Sequence, residues 1–258
     1  MDEDKDLKGV LTEHFDIQAS SSNKDNNLKK YGSLVNDPYL RSPYAFIEEN
    51  YLSDISNKKV LDYCCGTGIY SIFPALKGAY VFGVDISEQS IKIAKSRAAR
   101  MGLKDKCDFL IGDAEFLDYK DNSFDIVLSY GSLSYLNLEE AFKEIKRVLN
   151  PEGIFIAVDS LGHNPLFNIN RKRNILKYAP EHYSDLRTLK ITEIGDLSNK
   201  FFSSLKIFYF DFFSVFGYCL QKYFKIQISP NLFTYMDKQL SRIPLLRKFF
   251  FKAVFVFK

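Results

Sequence analysis

The sequence is poor in metal-binding residues and in long apolar runs. It holds three histidines and four cysteines among 258 residues, and no spacing of these resembles a zinc site, so we expect no bound metal. No run of about 18 apolar residues is present, so no helix is predicted to cross a membrane. The first residues, MDEDKDLKG, are acidic and polar, which is unlike a secretory signal peptide.

Disulfide pairs and a strong charge of one sign are also missing. Cys64 and Cys65 are adjacent and cannot easily bridge each other, and free thiols suit a reducing compartment, so we expect a cytoplasmic protein. The net charge is only +3, which gives no indication of nucleic acid, and no such partner is expected. No pattern specifies an oligomer.

Charge and aromatic residues concentrate near the C-terminus. Residues 201–258 hold nine Lys/Arg against two Asp/Glu, together with fourteen of the 24 phenylalanines. We expect these phenylalanines to form core or lid. The stretch RIPLLRKFF at 242–250 could instead lie on an anionic surface, so a weak peripheral membrane contact stays open.

Apolar runs and helical patterns alternate between residues 58 and 160. The predicted strands cover 60–64, 80–85, 107–111, 124–129 and 154–158. The predicted helices cover 69–76, 88–101 and 138–149, with a shorter one inside 38–52. Such alternation predicts an α/β fold with a parallel sheet that helices cover on both faces.

Two more strands are predicted at 205–210 and 253–257, with 42 residues between them. That connection is aromatic and helix-compatible, and it is too long for a plain hairpin. We therefore divide the chain into four parts. They are a partly mobile N-terminal cap (1–57), a cofactor-binding core (58–210), a helical insertion on the substrate side (211–252) and a last core strand (253–258).

The strongest chemical signal is VLDYCCGTG at residues 60–68. Gly66 and Gly68 let the backbone approach a ligand, and the following helix offers free N–H groups to a carboxylate. Cys64 stands in the same turn, and Asp62 at the strand end can pair with an ammonium group. A ligand with both a carboxylate and an ammonium is an amino acid, such as the methionine end of S-adenosylmethionine.

Two further acids follow the next two strands. Asp85, followed by Ile86, comes 17 residues after Gly68, near the roughly 20-residue interval of a ribose-binding acid. Asp113, followed by Ala114, can accept a hydrogen bond from the adenine amino group. The carboxyl ends of parallel strands share one edge, so the three acids match three parts of one cofactor.

These segments resemble the class I S-adenosylmethionine-dependent methyltransferase family. The matching residues are VLDYCCGTG, GVDIS, GDAEFL, FDIVLSYGSLSYL and IKRVLNPEGIFIAVD, in the family's order and spacing over about residues 58–160. The family usually has Gly where this chain has Cys64. Residues 161–183 also resemble a subset of bacterial methyltransferases of glycan and small-molecule biosynthesis.

The resemblance implies a Rossmann-like sheet of seven strands, mostly parallel with an antiparallel last strand. It implies S-adenosyl-L-methionine as the cofactor, and we add Ser129, at the end of the fourth strand, to the cofactor-binding residues. Tyr130 and Tyr135 follow the same strand and either shape the acceptor pocket or simply pack.

A general base is weakly indicated. His163 closely follows the fifth strand and is the better of two candidates, the other being His182; a purely structural histidine is the alternative. Methyl transfer works largely by positioning, so a base is not required.

We therefore predict methyl transfer to a small-molecule acceptor with apolar surface, in a biosynthetic pathway. Oxygen is the favoured atom, on family base rates. One alternative is aminopropyl transfer on the same fold, which would need an acid where this chain has Ser129. Others are a non-catalytic cofactor-binding protein and a nicotinamide oxidoreductase, whose G-x-G-x-x-G turn this chain lacks.

Overall fold

A seven-stranded sheet organises the chain. The computed structural model describes residues 8, 9, 11–13, 15–17, 19, 37–164, 168, 169 and 188–258. The strands are β1 (Lys59–Tyr63), β2 (Tyr80–Asp85), β3 (Cys107–Ile111), β4 (Phe124–Tyr130), β5 (Leu149–Ser160), β6 (Leu205–Phe210) and β7 (Lys252–Phe257). Their order is β3-β2-β1-β4-β5-β7-β6, and β7 alone runs antiparallel to its neighbours. The predicted Rossmann-like sheet is confirmed.

Helices pack against this sheet. They are α1 (Ser42–Tyr51), α2 (Ile72–Leu76), α3 (Glu88–Arg100), α4 (Leu138–Val148), α5 (Ile191–Phe201), α6 (Phe213–Cys219) and α7 (Pro230–Leu240). Shorter turns of 3₁₀-helix occupy Leu133–Tyr135 and Pro244–Phe249, and a π-helical turn occupies Leu220–Phe224. The described residues between 8 and 19 are also helical; we call them the N-terminal helical segment.

The core lies on both faces of the sheet because successive strand residues point in opposite directions. In β5, Phe155 and Ala157 join the apolar cluster that contains α4 and α5, whereas Ile156 and Val158 join the cluster that contains α1 and α3. A central strand buried on both faces reads as a continuous apolar run, which is why the sequence displays these strands so clearly.

Most predicted boundaries lie within one or two residues of the structure, and two starting points were wrong by more than that. The helix predicted from residue 69 begins at Ile72, because Pro74 has no N–H and its ring would clash inside a longer helix, whereas the first turn accepts it. The strand predicted from residue 154 begins at Leu149 and runs through Pro151. Its register to β4 shifts between Phe124 and Ile126, and proline is tolerated at such irregularities.

The segment 211–251, here called the C-terminal insertion, starts and ends at one edge of the sheet. Lys252 pairs with Ser160 on one side and with Phe210 on the other, so the insertion leaves β6 and re-enters β7 at the carboxyl edge of the parallel strands. It packs on the chain before α1, where Phe233 joins Tyr39 and Leu40 in a small buried cluster. None of the described helices is long and apolar enough to cross a bilayer.

Several sequence expectations lie outside the described residues. These are part of the N-terminal cap, His182 and most of the segment 161–183.

Candidate functional site

A cavity of about 310 Å³ lies at the carboxyl edge of the sheet, where open α/β folds bind ligands. The loops that follow β1, β2, β3 and β4 supply its walls, and the N-terminal helical segment adds a further wall. Its volume falls within the range of small-molecule sites.

The glycine turn after β1 is held from two sides. The Gly66 N–H donates to Asp85 Oδ2 at 2.8 Å, and the Arg97 guanidinium of α3 donates to the Thr67 carbonyl and, at 3.0 Å, to Thr67 Oγ1. Gly68 has φ +67°, and a Cβ there would lie 2.8 Å from the Ala94 Cβ. Only glycine therefore lets the turn pack this closely on α3.

Cys64 lines the cavity with φ +56°, in the left-handed region that favours glycine. This conformation is a physical reason for the family's glycine at the position, and a cysteine there carries backbone strain. Burial raises the pKa of the Cys64 thiol well above its usual value, so the thiol is neutral near pH 7. The turn is formed with a packing thiol in place of the glycine.

Asp85 and Asp113 both line the cavity, with Ile86 and Ala114 beside them. Asp85 Oδ1 accepts from the Ser87 N–H at 3.0 Å, and burial raises the pKa of this carboxyl. Asp113 Oδ1 accepts from the Glu115 N–H at 2.9 Å. Both carboxylates are thus fixed by backbone donors, and each retains lone pairs for further donors.

The loop after β3 is fixed by a buried side chain as well. The Tyr63 hydroxyl at the end of β1 donates to the Ala114 carbonyl at 2.7 Å. This bond ties the loop after β3 to the end of β1, across the intervening β2.

Asp62 and Ser129 do not line the cavity. Asp62 is 2% exposed and accepts from the Ser71 hydroxyl, and burial raises the pKa of this carboxyl to about 7. Ser129 is fully buried and shares a hydrogen bond of 2.7 Å with Ser132, which does line the cavity. Both residues lie behind the wall, and their cofactor contacts stay predictions.

The N-terminal helical segment contacts the acidic residues that follow β3. Lys8 Nζ lies 2.7 Å from Asp113 Oδ2 and 2.7 Å from Glu115 Oε2, so one lysine bridges two carboxylates. Asp16 accepts from the Ser87 hydroxyl and, at 3.1 Å, from the Gln89 N–H. A carboxylate at this helix N-terminus is favoured by the helix dipole, so the segment is anchored beside α3.

A stack of three tyrosines contributes two of its members, Tyr70 and Tyr130, to the cavity wall. The rings of Tyr70 and Tyr130 stack with centroids 4.2 Å apart, and Tyr44 stacks on Tyr70 at 5.2 Å. Lys252 Nζ donates to the Tyr44 hydroxyl at 3.2 Å. Burial raises the pKa of Tyr44 to about 12 and raises that of Tyr130 well above its usual value, so both hydroxyls stay neutral.

Tyr130 and Tyr135 both line the cavity, as they must if they shape the pocket of the acceptor. Tyr135 also makes an edge contact with Phe15 of the N-terminal helical segment, at 5.4 Å between centroids.

His163 does not line the cavity. It is exposed, and its Nε2 accepts a hydrogen bond of 3.2 Å from the Ile191 N–H at the start of α5. The structure gives this histidine a backbone partner, and its role as a base stays a prediction.

Sequence reasoning missed four residues that shape the site. Arg97 carried a readable signal, because it is a cation on the apolar face of α3 beside Ala94 and Ala98. Lys8, Phe15 and Tyr70 carried none, since a lone lysine or aromatic residue in a polar or helical stretch has many uses.

The chain is similar in sequence to known methyltransferases. A family model described as a methyltransferase domain matches residues 54–198, more than half of the chain. A sterol 4-C-methyltransferase of Caenorhabditis elegans is 33% identical over 152 residues, 58% of this chain and 42% of that protein. A demethylmenaquinone methyltransferase of Leptospira interrogans is 31% identical over 157 residues, 58% of this chain and 60% of that protein. The chain thus spans about half the length of these relatives.

Solved structures share the fold. Geranyl diphosphate C-methyltransferase from Streptomyces coelicolor A3(2), solved with Mg²⁺, geranyl diphosphate and S-adenosyl-L-homocysteine, superposes with a TM-score of 0.61. It is 14% identical in sequence, and the match covers 85% of this chain and 79% of that one. Because the family model matches more than half of the chain, this chain belongs to the class I S-adenosylmethionine-dependent methyltransferase family.

Proposed function

We propose that the chain binds S-adenosylmethionine in this cavity and transfers its methyl group to a small-molecule acceptor with apolar surface, with oxygen as the favoured atom. The observation that carries the proposal is the convergence of the glycine turn, Asp85 and Asp113 on one cavity.

The residues present suit the cofactor. Asp85 offers carboxylate oxygens to ribose hydroxyls, Asp113 offers them to the adenine amino group, and the Gly66 turn offers backbone groups to the amino-acid end. S-adenosylmethionine supplies a methyl group on a positively charged sulfur, which is already activated. The protein's own task is therefore to position the two reactants and to exclude water.

The tyrosine stack suits both partners in the transfer. Aromatic faces attract a cation, so Tyr70 and Tyr130 are placed to favour a positively charged sulfur. Tyr135, Leu136 and Phe15 add apolar surface for an acceptor. The relatives named for a sterol, a demethylmenaquinone and geranyl diphosphate support an acceptor with a large apolar body.

An oxygen acceptor would have to be of one particular kind, because the cavity offers no uncommitted base. No histidine is among the described residues that line it. Of its carboxylates, Asp85 and Asp113 are the proposed cofactor contacts, and Glu115 is paired with Lys8 and accepts from the Asn137 N–H. The raised pKa of Tyr130 keeps that hydroxyl neutral. An acceptor that loses its own proton readily, such as a phenol or an enol, would need no base from the protein.

Labelled cofactor tests this function. The protein is incubated with S-adenosylmethionine carrying a carbon-13 methyl group and with the small-molecule and lipid fractions of cells, and products are identified by mass spectrometry and NMR. We expect label on an oxygen of an apolar product. Label on carbon would overturn the choice of atom, and cofactor binding without any labelled product would favour a non-catalytic binding protein.

Decarboxylated cofactor tests the aminopropyl alternative in the same assay. The end of β4 and the loop after it contribute Tyr130, Gly131, Ser132, Tyr135 and Leu136 to the cavity wall, and none is an acid that could hold a polyamine. We therefore expect no aminopropyl product.

A further inference from the structure

The C-terminal insertion exposes large apolar side chains in unusual density. Eight of them lie between residues 216 and 245, whereas the described residues of 58–210 expose seven. The eight are Phe216, Tyr223, Phe224, Ile226, Leu232, Tyr235, Ile243 and Leu245, with exposed fractions between 48% and 72%. Scattered apolar residues are normal on a surface, but a concentration of this kind marks a surface that is covered in use.

The same segment carries positive charge at its surface, and no exposed acid of the insertion neutralises it. The only two acids of the insertion, Asp211 and Asp237, are 0% and 4% exposed. Asp211 lies 3.7 Å from the buried Lys252 Nζ, and Asp237 accepts hydrogen bonds from the Phe213 and Ser214 N–H groups. The insertion has six basic residues, and all but the partly buried Arg247 are exposed: Lys222, Lys225, Lys238, Arg242, Arg247 and Lys248.

Exposed aromatic and basic side chains are adjacent in the sequence of the insertion. Lys222 and Lys225 flank Tyr223 and Phe224, and all four are exposed. In α7, Leu232 and Tyr235 are three positions apart and so share the outer face, opposite the buried Phe233. Aromatic residues between lysines match the chemistry of a membrane interface, where rings enter the headgroup region and cations meet anionic lipid.

We propose that this surface of the C-terminal insertion docks reversibly on an anionic lipid bilayer. Charge complementarity selects this occupant over a second copy of the chain, because a symmetric pair would place the six cations of each copy against those of the other. The insertion emerges at the carboxyl edge of the sheet, which also holds the cavity, so docking would bring the site close to the lipid.

This docking does not depend on the proposed acceptor. It can therefore be measured without cofactor or acceptor, and its failure would leave the proposed methyl transfer untouched.

The experiment is flotation of the full chain with phosphatidylcholine vesicles, with or without phosphatidylserine. We expect binding to phosphatidylserine vesicles at low salt and its loss at high salt. The variant Lys222→Ala/Tyr223→Ser removes one exposed cation and one exposed ring. Since one basic residue near an anionic surface contributes about fivefold, we expect binding to fall about tenfold or more.

A matched variant supplies the control. Leu76→Ser/Lys77→Ala also removes one exposed apolar side chain and one exposed lysine, but from the amino edge of the sheet, just before β2. It should bind vesicles as the wild type does, and unchanged thermal unfolding verifies that both variants are folded.

Three results would overturn the proposal. They are no flotation of the wild type with phosphatidylserine vesicles, equal loss in the matched control, and self-association in solution that Lys222→Ala/Tyr223→Ser abolishes. The last would assign the surface to a second copy of the chain.

Discussion

The sheet region and the C-terminal insertion place opposite kinds of side chain at their surfaces. In the sheet region, apolar side chains form two buried clusters and carboxylates such as Asp85 and Asp113 face a cavity. In the insertion, both carboxylates are buried and apolar side chains face outward. The first arrangement suits a polar ligand held inside the fold, and the second suits an apolar or anionic partner outside it.

This contrast assigns the two regions different tasks. The loops around the cavity are fixed by short-range motifs and by backbone donors to Asp85 and Asp113. The insertion carries no comparable motif, and its composition supports contact with acceptor or lipid. We therefore expect changes in one region to leave the task of the other largely intact.

The largest expected effect comes from removing the insertion. Replacing residues 212–248 with a short turn should abolish acceptor methylation and preserve cofactor binding, because the cofactor walls come from the loops after β1 to β4. Calorimetry with S-adenosylhomocysteine and the labelled-methyl assay measure the two properties. Phe233→Ala serves as a milder variant, since it loosens the cluster around Tyr39 and Leu40 but keeps the insertion in the chain. Normal methylation by the shortened chain would exclude the insertion from acceptor binding.

The next effect concerns stability of the insertion. Asp237→Ala leaves the Phe213 N–H, the Ser214 N–H and the Ser214 hydroxyl without their acceptor, so the free energy of unfolding should fall by about 3 kcal/mol. Denaturant titration measures it. The exposed Asp196 of α5 provides the control, because Asp196→Ala should change stability by less than about 0.5 kcal/mol. Equal losses in both variants would contradict a special role for the buried acid.

Asp85→Ala should weaken cofactor binding by about 1.5–3 kcal/mol, because a charge-assisted acceptor is lost. Asp85→Asn keeps the size of the side chain but replaces one of its two acceptor oxygens with a donor amide, so it tests loss of the charge together with loss of one of the bonds from the Gly66 and Ser87 N–H groups. The exposed Asp108 of β3 is the matched acid for a control. Unchanged affinity of Asp85→Ala in calorimetry would remove Asp85 from the site.

A smaller effect should appear in the pH dependence of cofactor affinity. The pKa of Asp62, raised to about 7 by burial, keeps this carboxyl neutral in the ligand-free protein below that pH. An ammonium partner favours the ionised form, so binding should release a proton, and affinity should rise by up to about tenfold between about pH 6 and about pH 7. Calorimetry in two buffers of different ionisation enthalpy detects the proton. A profile that Asp62→Asn leaves unaltered would restrict Asp62 to supporting Ser71.

The smallest effect concerns the turn itself. Cys64→Gly relieves left-handed strain but adds chain entropy to the unfolded state and removes a packed thiol, so stability should change by no more than about 1 kcal/mol. Thermal unfolding and cofactor affinity measure the result. A large loss of affinity would mean that the thiol contacts the cofactor.

Much of the fold could be predicted from the sequence. The strands at 80–85, 107–111 and 205–210 were predicted with the bounds that the structure has. Short apolar runs between turn residues define such strands locally. The positions of Asp85 and Asp113 followed as well, since each comes at or just after the end of a strand, and parallel strands end at one edge.

The sequence by itself determined the alternating elements, the glycine turn and the acids around it, because these depend on residues close together in the chain. Only the tertiary structure joined Lys8 to Asp113 and set Tyr44 on Tyr70. It also buried Asp211 and Asp237 in a segment that leaves Tyr223, Phe224 and Leu245 exposed. Contacts of this kind link residues far apart in the chain and produce no periodic pattern in the sequence. Tertiary packing alone therefore decides which polar side chains are buried and which apolar side chains are exposed to solvent.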